Sequence, residues 1–393
     1  MEIDFARTEF GHEEIEAVKR VLQGYWLASG PENEAFEKEF ANYVNADYAV
    51  CVNSGSSANL LALALLELPK GSKVLTSACG FPATLSPILH LGLQPVFVDY
   101  NIATYNIDID ACIGALKDTD IKAIIFAHTL GNPVDLRLLV GVANNLGVPV
   151  IEDCCEAVGT KINGRSVGSS SQIGTFSFYP AHQITALGGG GMLVTSYKEI
   201  ALKARSLRDW GKVWYWDERL GPKYTDYTVE VDGEPYYKHY TYQTVGYNMK
   251  LPEANAAFGR EQLKRLDRFV DRRIENFSYL ADRLYKLGIF HELKAIEGSR
   301  PSWFGFPMTM KDSMPKGSRN SLGTYLESVG IRHRPFFAGN ILRHMPFKHL
   351  LDKEYPIADK LMRDALFVGV WQGLGKLELD YIVEHVKRWM DLQ

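Results

Sequence analysis

The segment Phe176–Gly191 brings together residue types that can carry chemistry. Ser177 has a hydroxyl that can donate a hydrogen bond to a phosphate, and His182 has an imidazole that can act as an acid or a base. Four consecutive glycines, Gly188–Gly191, follow this histidine. Glycine lets a backbone approach a bound group closely and adopt positive φ angles, so the segment has the features of a ligand-binding loop. A strand-end serine and a structural histidine are the alternative interpretations.

A second candidate site is the turn Asn53–Ala58, which reads Asn-Ser-Gly-Ser-Ser-Ala and lies between a predicted strand and a predicted helix. The first turn of a helix has unpaired N–H groups and a partial positive charge, which together suit a phosphate. Gly55, Ser56 and Ser57 are therefore candidate phosphate ligands. Taken alone, the motif is explained more simply if Ser56 or Ser57 caps the helix.

A third candidate is the acidic end of the apolar run that begins at Val150. Asp153 falls at the carboxyl end of a predicted buried strand, where a carboxylate is costly unless it is paired. A pyridinium N–H would pair with this carboxylate, which would keep the ring protonated as an electron sink. Glu156 would lie near the same ring. A surface acid or a helix cap explains the motif equally well.

A fourth candidate is the segment Ile331–Asn340, which is dense in arginine and phenylalanine. Arg332 and Arg334 could each bind a phosphate through two parallel hydrogen bonds. Phe336 and Phe337 could stack on a nucleotide base. The segment therefore predicts a site for an anionic ligand, with an ordinary strand edge as the alternative.

These candidates depend on an alternation of strands and helices to bring them together. Apolar runs predict strands at Tyr48–Val52, Lys73–Thr76, Gln94–Val98, Ala123–Ala127, Pro149–Glu152 and Met192–Thr195. Helical periodicity lies between them at Ser57–Leu66, Phe81–Leu91, Ile109–Leu116 and Leu136–Asn145. Short apolar strands separated by helices predict an α/β protein with a mostly parallel sheet, whose ligands bind beyond the carboxyl ends of the strands.

The pattern also predicts how the chain is divided. We expect an N-terminal arm at residues 1–30, a large ligand-binding domain at 31–260 and a smaller C-terminal α/β domain at 261–393. A long helix from Pro252 to about Leu287 would link the domains, and Lys212–Tyr242 reads as a polar insertion. The arm could pack on its own chain or on a partner.

The composition excludes several classes of protein. With 46% apolar residues, a net charge of −4 and no long apolar run, the chain reads as a globular protein that binds neither nucleic acid nor a membrane. Its acidic, polar start is unlike a signal peptide. The five cysteines are odd in number and contain no C-x-x-C pair, which predicts a cytoplasmic protein without disulfides.

The order and spacing of these motifs resemble the DegT/DnrJ/EryC1/StrS family of sugar aminotransferases. The resemblance runs nearly from end to end and includes Trp26–Gly30, NSGSSAN, the T-x-x-x-x-F-x-A-T form at Thr76–Thr84, IEDCCEAVG, SFYPAH, GYNMK and IRHRPFFAGN. It implies the fold of type I pyridoxal-phosphate enzymes, which is that of aspartate aminotransferase. It also implies a homodimer with shared active sites.

The resemblance implies roles for the cofactor-binding residues. The turn Gly55–Ser57 and Ser177 would hold the phosphate of pyridoxal or pyridoxamine phosphate. Phe81 would stack on its ring, and Asp153 would pair with the ring nitrogen. Glu156 would lie towards the 3-oxygen of the ring.

Further roles concern the partner subunit and the substrate. Asn248, which from the residues alone reads as a local turn before a helix, would reach the phosphate of the neighbouring subunit. The remaining candidates are predicted to contact a nucleotide-sugar substrate, and they are Trp26, His128, Arg332, Arg334, Phe336 and Phe337.

His182 stands where the family has the lysine that binds the cofactor covalently. Within the family, this change resembles the NDP-4-keto-6-deoxyhexose 3-dehydratases, as do Ala127–Pro133 and the segment around Arg334. One kind, CDP-4-keto-6-deoxyglucose 3-dehydratase, carries an iron–sulfur cluster and takes electrons from a reductase. Another, GDP-4-keto-6-deoxymannose 3-dehydratase, needs no cluster and regenerates its amine from glutamate.

The cysteines indicate that this chain has no cluster. Cys155 matches one ligand position, but Lys212–Tyr242, which follows Arg208–Gly211, contains none of the three further cysteines of the cluster enzymes. One thiolate cannot hold a cluster that needs four protein ligands. We therefore expect neither an iron–sulfur centre nor another metal site.

Together, the resemblance implies a dehydratase that uses pyridoxamine phosphate, held without a covalent bond, to remove the C3 hydroxyl of a nucleotide-linked 4-keto-6-deoxy sugar. His182 would act as the base at the C4′ carbon of the cofactor. Either glutamate restores the amine or a reductase partner supplies electrons. The alternatives are an aminotransferase or dehydratase for another sugar or sugar nucleoside, an aminotransferase that uses Lys250, and a relative that binds without catalysis.

Overall fold

The computed structural model describes residues 1–118, 120–213 and 228–392, so residues 214–227 of the predicted insertion lie outside it. The strands are β1 (Tyr48–Val52), β2 (Lys73–Ser77), β3 (Gln94–Val98), β4 (Tyr100–Asn101), β5 (Asn106–Ile107), β6 (Ile121–Ala127), β7 (Val150–Asp153), β8 (Lys161–Ile162), β9 (Arg165–Ser166), β10 (Ile173–Ser177), β11 (Gly191–Thr195), β12 (Thr228–Val231), β13 (Glu234–Tyr237), β14 (Phe290–His291), β15 (Ser299–Arg300), β16 (Gly305–Met310), β17 (His333–Pro335) and β18 (Ala365–Gly369).

The α-helices are α1 (His12–Gln23), α2 (Pro31–Val44), α3 (Gly55–Ala64), α4 (Pro82–His90), α5 (Ile109–Asp118), α6 (Arg137–Asn145), α7 (Lys198–Arg208), α8 (Glu253–Leu284), α9 (Ser318–Ser328), α10 (Pro356–Asp364) and α11 (Lys376–Asp391). Short 3-10 helices cover Thr129–Gly131, Lys238–Tyr240, Tyr285–Leu287, Ile341–Arg343 and Met345–Leu350. Within the described residues, no helix combines the length and the apolar character that crossing a membrane requires.

The large domain is built on a seven-stranded sheet in the order β1-β11-β10-β7-β6-β2-β3. Its strands are parallel except for β11, which is antiparallel to both β1 and β10. Both faces are covered: in β1, Val50 and Val52 face one apolar cluster, and Ala49 and Cys51 face the other. This arrangement confirms the predicted α/β fold with a mostly parallel sheet.

The small domain has an antiparallel sheet in the order β14-β16-β18-β17, with α9 and α10 packed on it and α11 packed against α9. The N-terminal arm packs on its own chain, because Ile3 pairs with Ile331 and α1 lies against α8. The domain boundary predicted between residues 260 and 261 lies inside α8. This helix contacts α1 and α2 as well as α11 and β16, so it is shared by both domains.

The start of α2 depends on a carboxylate from the start of α8. Glu253 is 3% exposed and accepts hydrogen bonds from the N–H groups of Gly30, Glu32 and Asn33 at 2.7, 2.8 and 3.0 Å. The side-chain amide of Asn33 donates to the same carboxylate at 2.7 Å. The first N–H groups of a helix have no partner within it, and an anion there also interacts favourably with the helix dipole. Glu253 therefore joins two distant parts of the chain.

We predict that Glu253→Gln lowers the free energy of unfolding by about 1–3 kcal/mol, because an amide N–H then faces buried N–H donors. Chemical denaturation followed by circular dichroism measures the change. Glu261→Gln is the matched control, since it lies on the same helix with its carboxylate paired to the exposed Lys264. An unfolding midpoint unchanged by Glu253→Gln would show that this cap contributes nothing.

Candidate active site

A cavity of about 1020 Å³ lies at the carboxyl ends of the central strands and extends to the small domain. Most of the predicted site residues line it, namely Gly55, Ser56, Phe81, Asp153, Glu156, Ser177, His182, Arg332, Arg334 and Phe337. The predicted residues that are not part of its lining are Trp26, Ser57, His128, Asn248 and Phe336. The cavity therefore assembles residues that are far apart in the sequence, as expected for a parallel sheet.

One end of the cavity is the turn between β1 and α3. Ser54, rather than Ser56 or Ser57, caps α3: its Oγ accepts from the N–H of Ser57 at 3.1 Å. The simpler interpretation of this motif was thus right about a cap but wrong about the residue. Ser56 is therefore not the cap, and it lines the cavity at the start of α3, where the N–H groups of a first helical turn suit an anion.

Gly55 shapes this end of the cavity. A Cβ atom at this position would lie 2.6 Å from Cβ of Ser177 and 2.8 Å from Sγ of Cys155. Ser177 ends β10, and its Oγ accepts from the N–H of Tyr179 at 3.3 Å, which leaves the hydroxyl proton free to donate to a ligand. Backbone N–H groups and a serine hydroxyl thus converge where no side chain at position 55 fits.

The glycine run supports the same turn from the other side. The N–H of Gly190 donates to the carbonyl of Asn53 at 3.0 Å, and a Cβ atom at Gly191 would collide with the carbonyl of Ser54. Gly189 and Gly190 also line the cavity. The glycines therefore let β11 press against the turn, in addition to leaving room for a ligand.

Asp153 ends the buried strand β7, and its carboxylate is held by the residues around it. Oδ2 accepts from the side chains of Asn59 and Thr84, both at 2.7 Å, and Oδ1 accepts from the N–H of Cys155 at 3.1 Å. The residue is 4% exposed and lines the cavity. A carboxylate has about four lone pairs, so it can still accept one bond from a cationic N–H of a ligand.

Glu156 lines the same cavity as Asp153. Burial, together with the charge of Asp153, raises the pKa of Glu156 to about 8, although its Oε2 accepts a hydrogen bond from the N–H of Leu130 at 2.7 Å. At neutral pH this residue is therefore mainly a neutral carboxylic acid, and it can donate a hydrogen bond into the cavity. The two neighbouring acids thus offer an anion and a proton donor.

His182 follows β10 on the cavity wall, with its ring 5.2 Å from the ring of Phe304. Nδ1 is buried without a hydrogen-bond partner, which leaves Nε2 as the nitrogen available to the cavity. Burial and the nearby charge of Arg273 lower the pKa of His182 to about 3. The imidazole is therefore neutral at physiological pH and can accept a proton.

The two arginines at the small-domain side differ in their partners. Arg332 forms ion pairs with Glu327 at 2.7 Å and with Glu2 at 3.8 Å. Arg334 lies over the ring of Phe5 at 5.2 Å and donates to the carbonyl of His333, with no carboxylate partner among the described residues. Arg334 is consequently the better placed of the two to bind an anionic ligand.

The model of the DegT/DnrJ/EryC1/StrS aminotransferase family matches residues 8–387. The chain belongs to this family. It is 38% identical to the lipopolysaccharide biosynthesis protein RfbH of Salmonella typhimurium, over 97% of this chain and 90% of that protein. It is 37% identical to the dTDP-4-dehydro-2,6-dideoxy-D-glucose 3-dehydratase of Saccharopolyspora spinosa, over 93% and 81%.

Solved structures of GDP-4-keto-6-deoxymannose-3-dehydratase are also similar to this chain. One, a histidine-to-asparagine mutant with bound GDP-perosamine, has a TM-score of 0.88 at 31% identity and covers 98% of this chain and 100% of its own. Another holds a trapped PLP-glutamate geminal diamine, with a TM-score of 0.88 at 30% identity and coverage of 98% and 99%. These similarities confirm the predicted family and its type I fold.

Two of the predicted substrate contacts, His128 and Phe336, are buried and do not line the cavity. His128 is 0% exposed, with Nδ1 accepting from the N–H of Val134 at 2.9 Å and Nε2 bonded to Glu152 at 3.0 Å. It points into the core because Ala127 takes the cavity side of the strand end. Phe336 is 1% exposed and packs in the core, so that only Phe337 of the predicted pair Phe336 and Phe337 lines the cavity.

Two other predicted residues lie outside the cavity of their own chain. Trp26 is 61% exposed, and Asn248 is exposed with its Oδ1 accepting from Nζ of Lys250 at 2.8 Å. Lys250 also pairs with Asp209 at 2.8 Å and lies over the ring of Trp210. No lysine lines the cavity in the described part of the chain, so an aminotransferase that uses Lys250 loses its support.

Sequence reasoning missed the residues that orient Asp153. Asn59 is the one polar side chain in the apolar run from Ala58 to Leu66, and such an isolated amide was a usable signal. Thr84 closes a family motif, yet nothing in its spacing indicates which carboxylate it contacts. The arm residues Asp4–Ala6, which also line the cavity, carry no motif of their own.

We predict that the free energy of unfolding falls as pH rises from about 6.5 to about 8, because folded Glu156 keeps a proton that the unfolded chain has released, whereas below about pH 6.5 the lowered pKa of His182 opposes this effect. Glu156→Gln, which cannot ionise, should flatten this part of the profile. Denaturation midpoints at several pH values measure the slope. Glu297→Gln, at an exposed position, is the control and should keep it. A slope that persists in Glu156→Gln would contradict this assignment.

Proposed function

We propose that this chain is a sugar 3-dehydratase. It uses pyridoxamine phosphate, without an iron–sulfur cluster, to remove the C3 hydroxyl of a nucleotide-linked 4-keto-6-deoxy sugar. The observation that carries the proposal is the imidazole of His182 on the wall of a cavity that contains no lysine in its described lining. A lysine would capture the cofactor covalently, whereas an imidazole can only accept and return protons.

The residues of the cavity fit this cofactor at both of its ends. The N–H groups at the start of α3 and the hydroxyl of Ser177 suit its phosphate, and a Cβ atom at Gly55 would fill that cradle. The anchored carboxylate of Asp153 suits a protonated ring nitrogen. Phe81, which is 56% exposed on the cavity wall, can stack on the ring between these ends.

Asp153, Glu156 and His182 would each have a separate role in the reaction. The cofactor supplies an amine for the C4 ketone and a ring that accepts electrons. Asp153 would hold the protonated ring nitrogen, and neutral Glu156 would donate a hydrogen bond near the ring. Nε2 of His182 would serve as the general base towards the C4′ carbon, and its imidazolium form would be the acid for the C3 hydroxyl.

The relatives support the substrate class and the amine donor. The similar proteins that act on named sugars include 3-dehydratases of dTDP- and GDP-linked 4-keto sugars as well as a UDP-sugar 3-aminotransferase, and the GDP-4-keto-6-deoxymannose-3-dehydratase is known with GDP-perosamine bound. The geminal diamine of PLP and glutamate in the same enzyme supports glutamate as the donor that restores the amine. Arg334 is our candidate for binding the phosphates of the sugar nucleotide or the carboxylate of glutamate.

We further propose a homodimer with shared active sites in the cytoplasm. Apolar side chains are exposed near the cavity and on the arm, and they include Phe10 (53%), Tyr25 (91%), Trp26 (61%), Leu27 (52%) and Leu187 (45%). Exposed apolar side chains of this kind support contact with a second copy. Asn248 and Trp26 would then contact the active site of the partner. The free cysteines agree with a reducing compartment.

The decisive experiment combines pyridoxamine phosphate with GDP-, CDP- and dTDP-linked 4-keto-6-deoxyhexoses in deuterated water. We predict that wild type exchanges the C4′ proton and removes the C3 oxygen, and that His182→Asn lowers both rates about 10²–10⁴-fold while it still binds cofactor. Mass spectrometry follows both reactions. His90→Asn, at an exposed helix position, should behave as wild type. Unchanged exchange in His182→Asn would remove this residue as the base.

Iron and sulfide in anaerobically purified protein test the absence of a cluster. We predict contents near zero, because Cys51, Cys79, Cys112 and Cys154 are buried in the core and only Cys155 reaches the cavity. Turnover should then require glutamate and no reductase. Stoichiometric iron with sulfide, or turnover that depends on a reductase, would contradict the proposal.

A further inference from the structure

Arg273 is a buried cation directly behind the loop that carries His182. It lies on α8 and is 1% exposed. Its Nη2 donates to the carbonyl of His182 at 3.1 Å, and its Nη1 donates to the carbonyl of Trp303 at 3.0 Å. Burial lowers the pKa of Arg273 to about 9, so the guanidinium remains charged at neutral pH.

The surroundings of Arg273 do not compensate its charge. Both of its acceptors are neutral carbonyl groups, and no carboxylate pairs with it in the described ranges of the chain. A buried charge without a counter-charge is costly, and a methionine of similar length would fill the same space at lower cost. The presence of an arginine here therefore calls for a role that an apolar side chain cannot fill.

A second contact ties the same loop to the same neighbours. Gln183 is 1% exposed, and its Nε2 donates to the carbonyls of Glu156 and Ser302, both at 2.6 Å. The histidine loop is thus held from behind at two consecutive residues. Both contacts reach the short segment of the small domain that contains Ser302 and Trp303.

Four buried polar atoms in this group have no hydrogen-bond partner in the protein: Nδ1 of His182, Oε1 of Gln183, Nε of Arg273 and Oγ of Ser302. Nε of Arg273 is a donor, while the amide oxygen and the hydroxyl oxygen can accept. Buried polar atoms that no protein group satisfies are commonly bridged by internal water. If Nδ1 of His182 carries the imidazole proton, this group contains two donors, Nδ1 and Nε of Arg273, and two acceptors, the oxygens of Gln183 and Ser302.

We propose that Arg273 is a positioning residue for His182. It fixes the loop through the His182 carbonyl and, with Gln183 and Ser302, forms a buried polar cluster whose bridging water accepts a hydrogen bond from Nδ1–H. The lone pair of Nε2 is then directed to the cavity, where the general base needs it. This inference concerns how the base is held, and only its catalytic consequence rests on the proposed function.

The positive charge of Arg273 also favours a neutral His182 ring. A cation next to the imidazole disfavours protonation of the ring, and with burial it keeps the pKa of His182 low. Other charged or titratable groups share the cavity wall with His182, namely Asp4, Asp153, Cys155, Glu156, Tyr179, Arg332 and Arg334. A test must therefore change Arg273 alone and leave these groups in place.

Nuclear magnetic resonance of the full chain with ¹⁵N-labelled histidine side chains tests the inference without turnover. His182→Asn identifies the His182 signals, which report its tautomer and its protonation. In wild type we expect a neutral ring with the proton on Nδ1 from about pH 5 to about pH 8. In Arg273→Met, we expect the pKa of His182 to rise by about one unit or more and the single tautomer to be lost.

Two further variants make the result specific. Arg272→Met is the matched control, because this neighbouring arginine pairs with Glu275 on the surface, and its His182 signals should match wild type. Arg273→Lys keeps the charge but loses the planar pair of donors, so it should keep the low pKa and lose the single tautomer. This variant carries the test if Arg273→Met does not fold. His182 signals unchanged in the folded Arg273 variants would overturn the proposal.

Kinetics then connects the positioning role to the reaction. If the chain is a dehydratase, Arg273→Met should lower kcat by about 10–100-fold with little change in KM or in cofactor affinity. A loss of cofactor affinity equal to the loss of rate would contradict a positioning role. Absence of dehydration by wild type, together with the expected His182 signals, would reject the proposed function and leave the positioning of His182 intact.

Discussion

The carboxylate of Asp153 is the constraint on which the geometry of this protein depends. It ends the central strand β7 and is bound by Asn59 of α3, by Thr84 of α4 and by the backbone N–H of Cys155. A buried carboxylate requires such partners, and two of them, Asn59 and Thr84, tie helices α3 and α4 to the end of β7. The same network therefore sets the distance between an anionic point in the cavity and the N-terminus of α3, where a phosphate can bind.

Two titratable groups that share the cavity with Asp153 are uncharged at neutral pH. Burial keeps Glu156 protonated at neutral pH and keeps His182 unprotonated, so two titratable groups in one cavity are both neutral. Each is then ready for the opposite task, one to donate a proton and the other to accept one. Arg273 supports this state from behind the cavity, where its positive charge makes a second cation at His182 unfavourable.

Much of the fold follows from local sequence pattern, and the site follows from it only in part. The alternation of apolar strands and helices was enough to predict the parallel sheet and hence the edge at which Asp153 and Ser177 meet. The sequence pattern does not predict whether an individual side chain points into the core or into the cavity. His128 and Phe336 turn into the core because tertiary packing decides which residue of a pair lines the cavity. Arg273 carries no local signal, since its partners are carbonyls that only the folded chain brings together.

On this fold, the residue at position 182 distinguishes transamination from dehydration. The proposed phosphate site at the start of α3 and the anchored carboxylate of Asp153 would serve either reaction equally. A lysine at position 182 could both transfer protons and form a covalent bond to the cofactor. That bond would then have to break and form again in each reaction cycle. An imidazole with a buried Nδ1 can only move protons. Elimination of a neighbouring hydroxyl needs a base and an acid at one point in succession, and a neutral histidine held in one orientation supplies both.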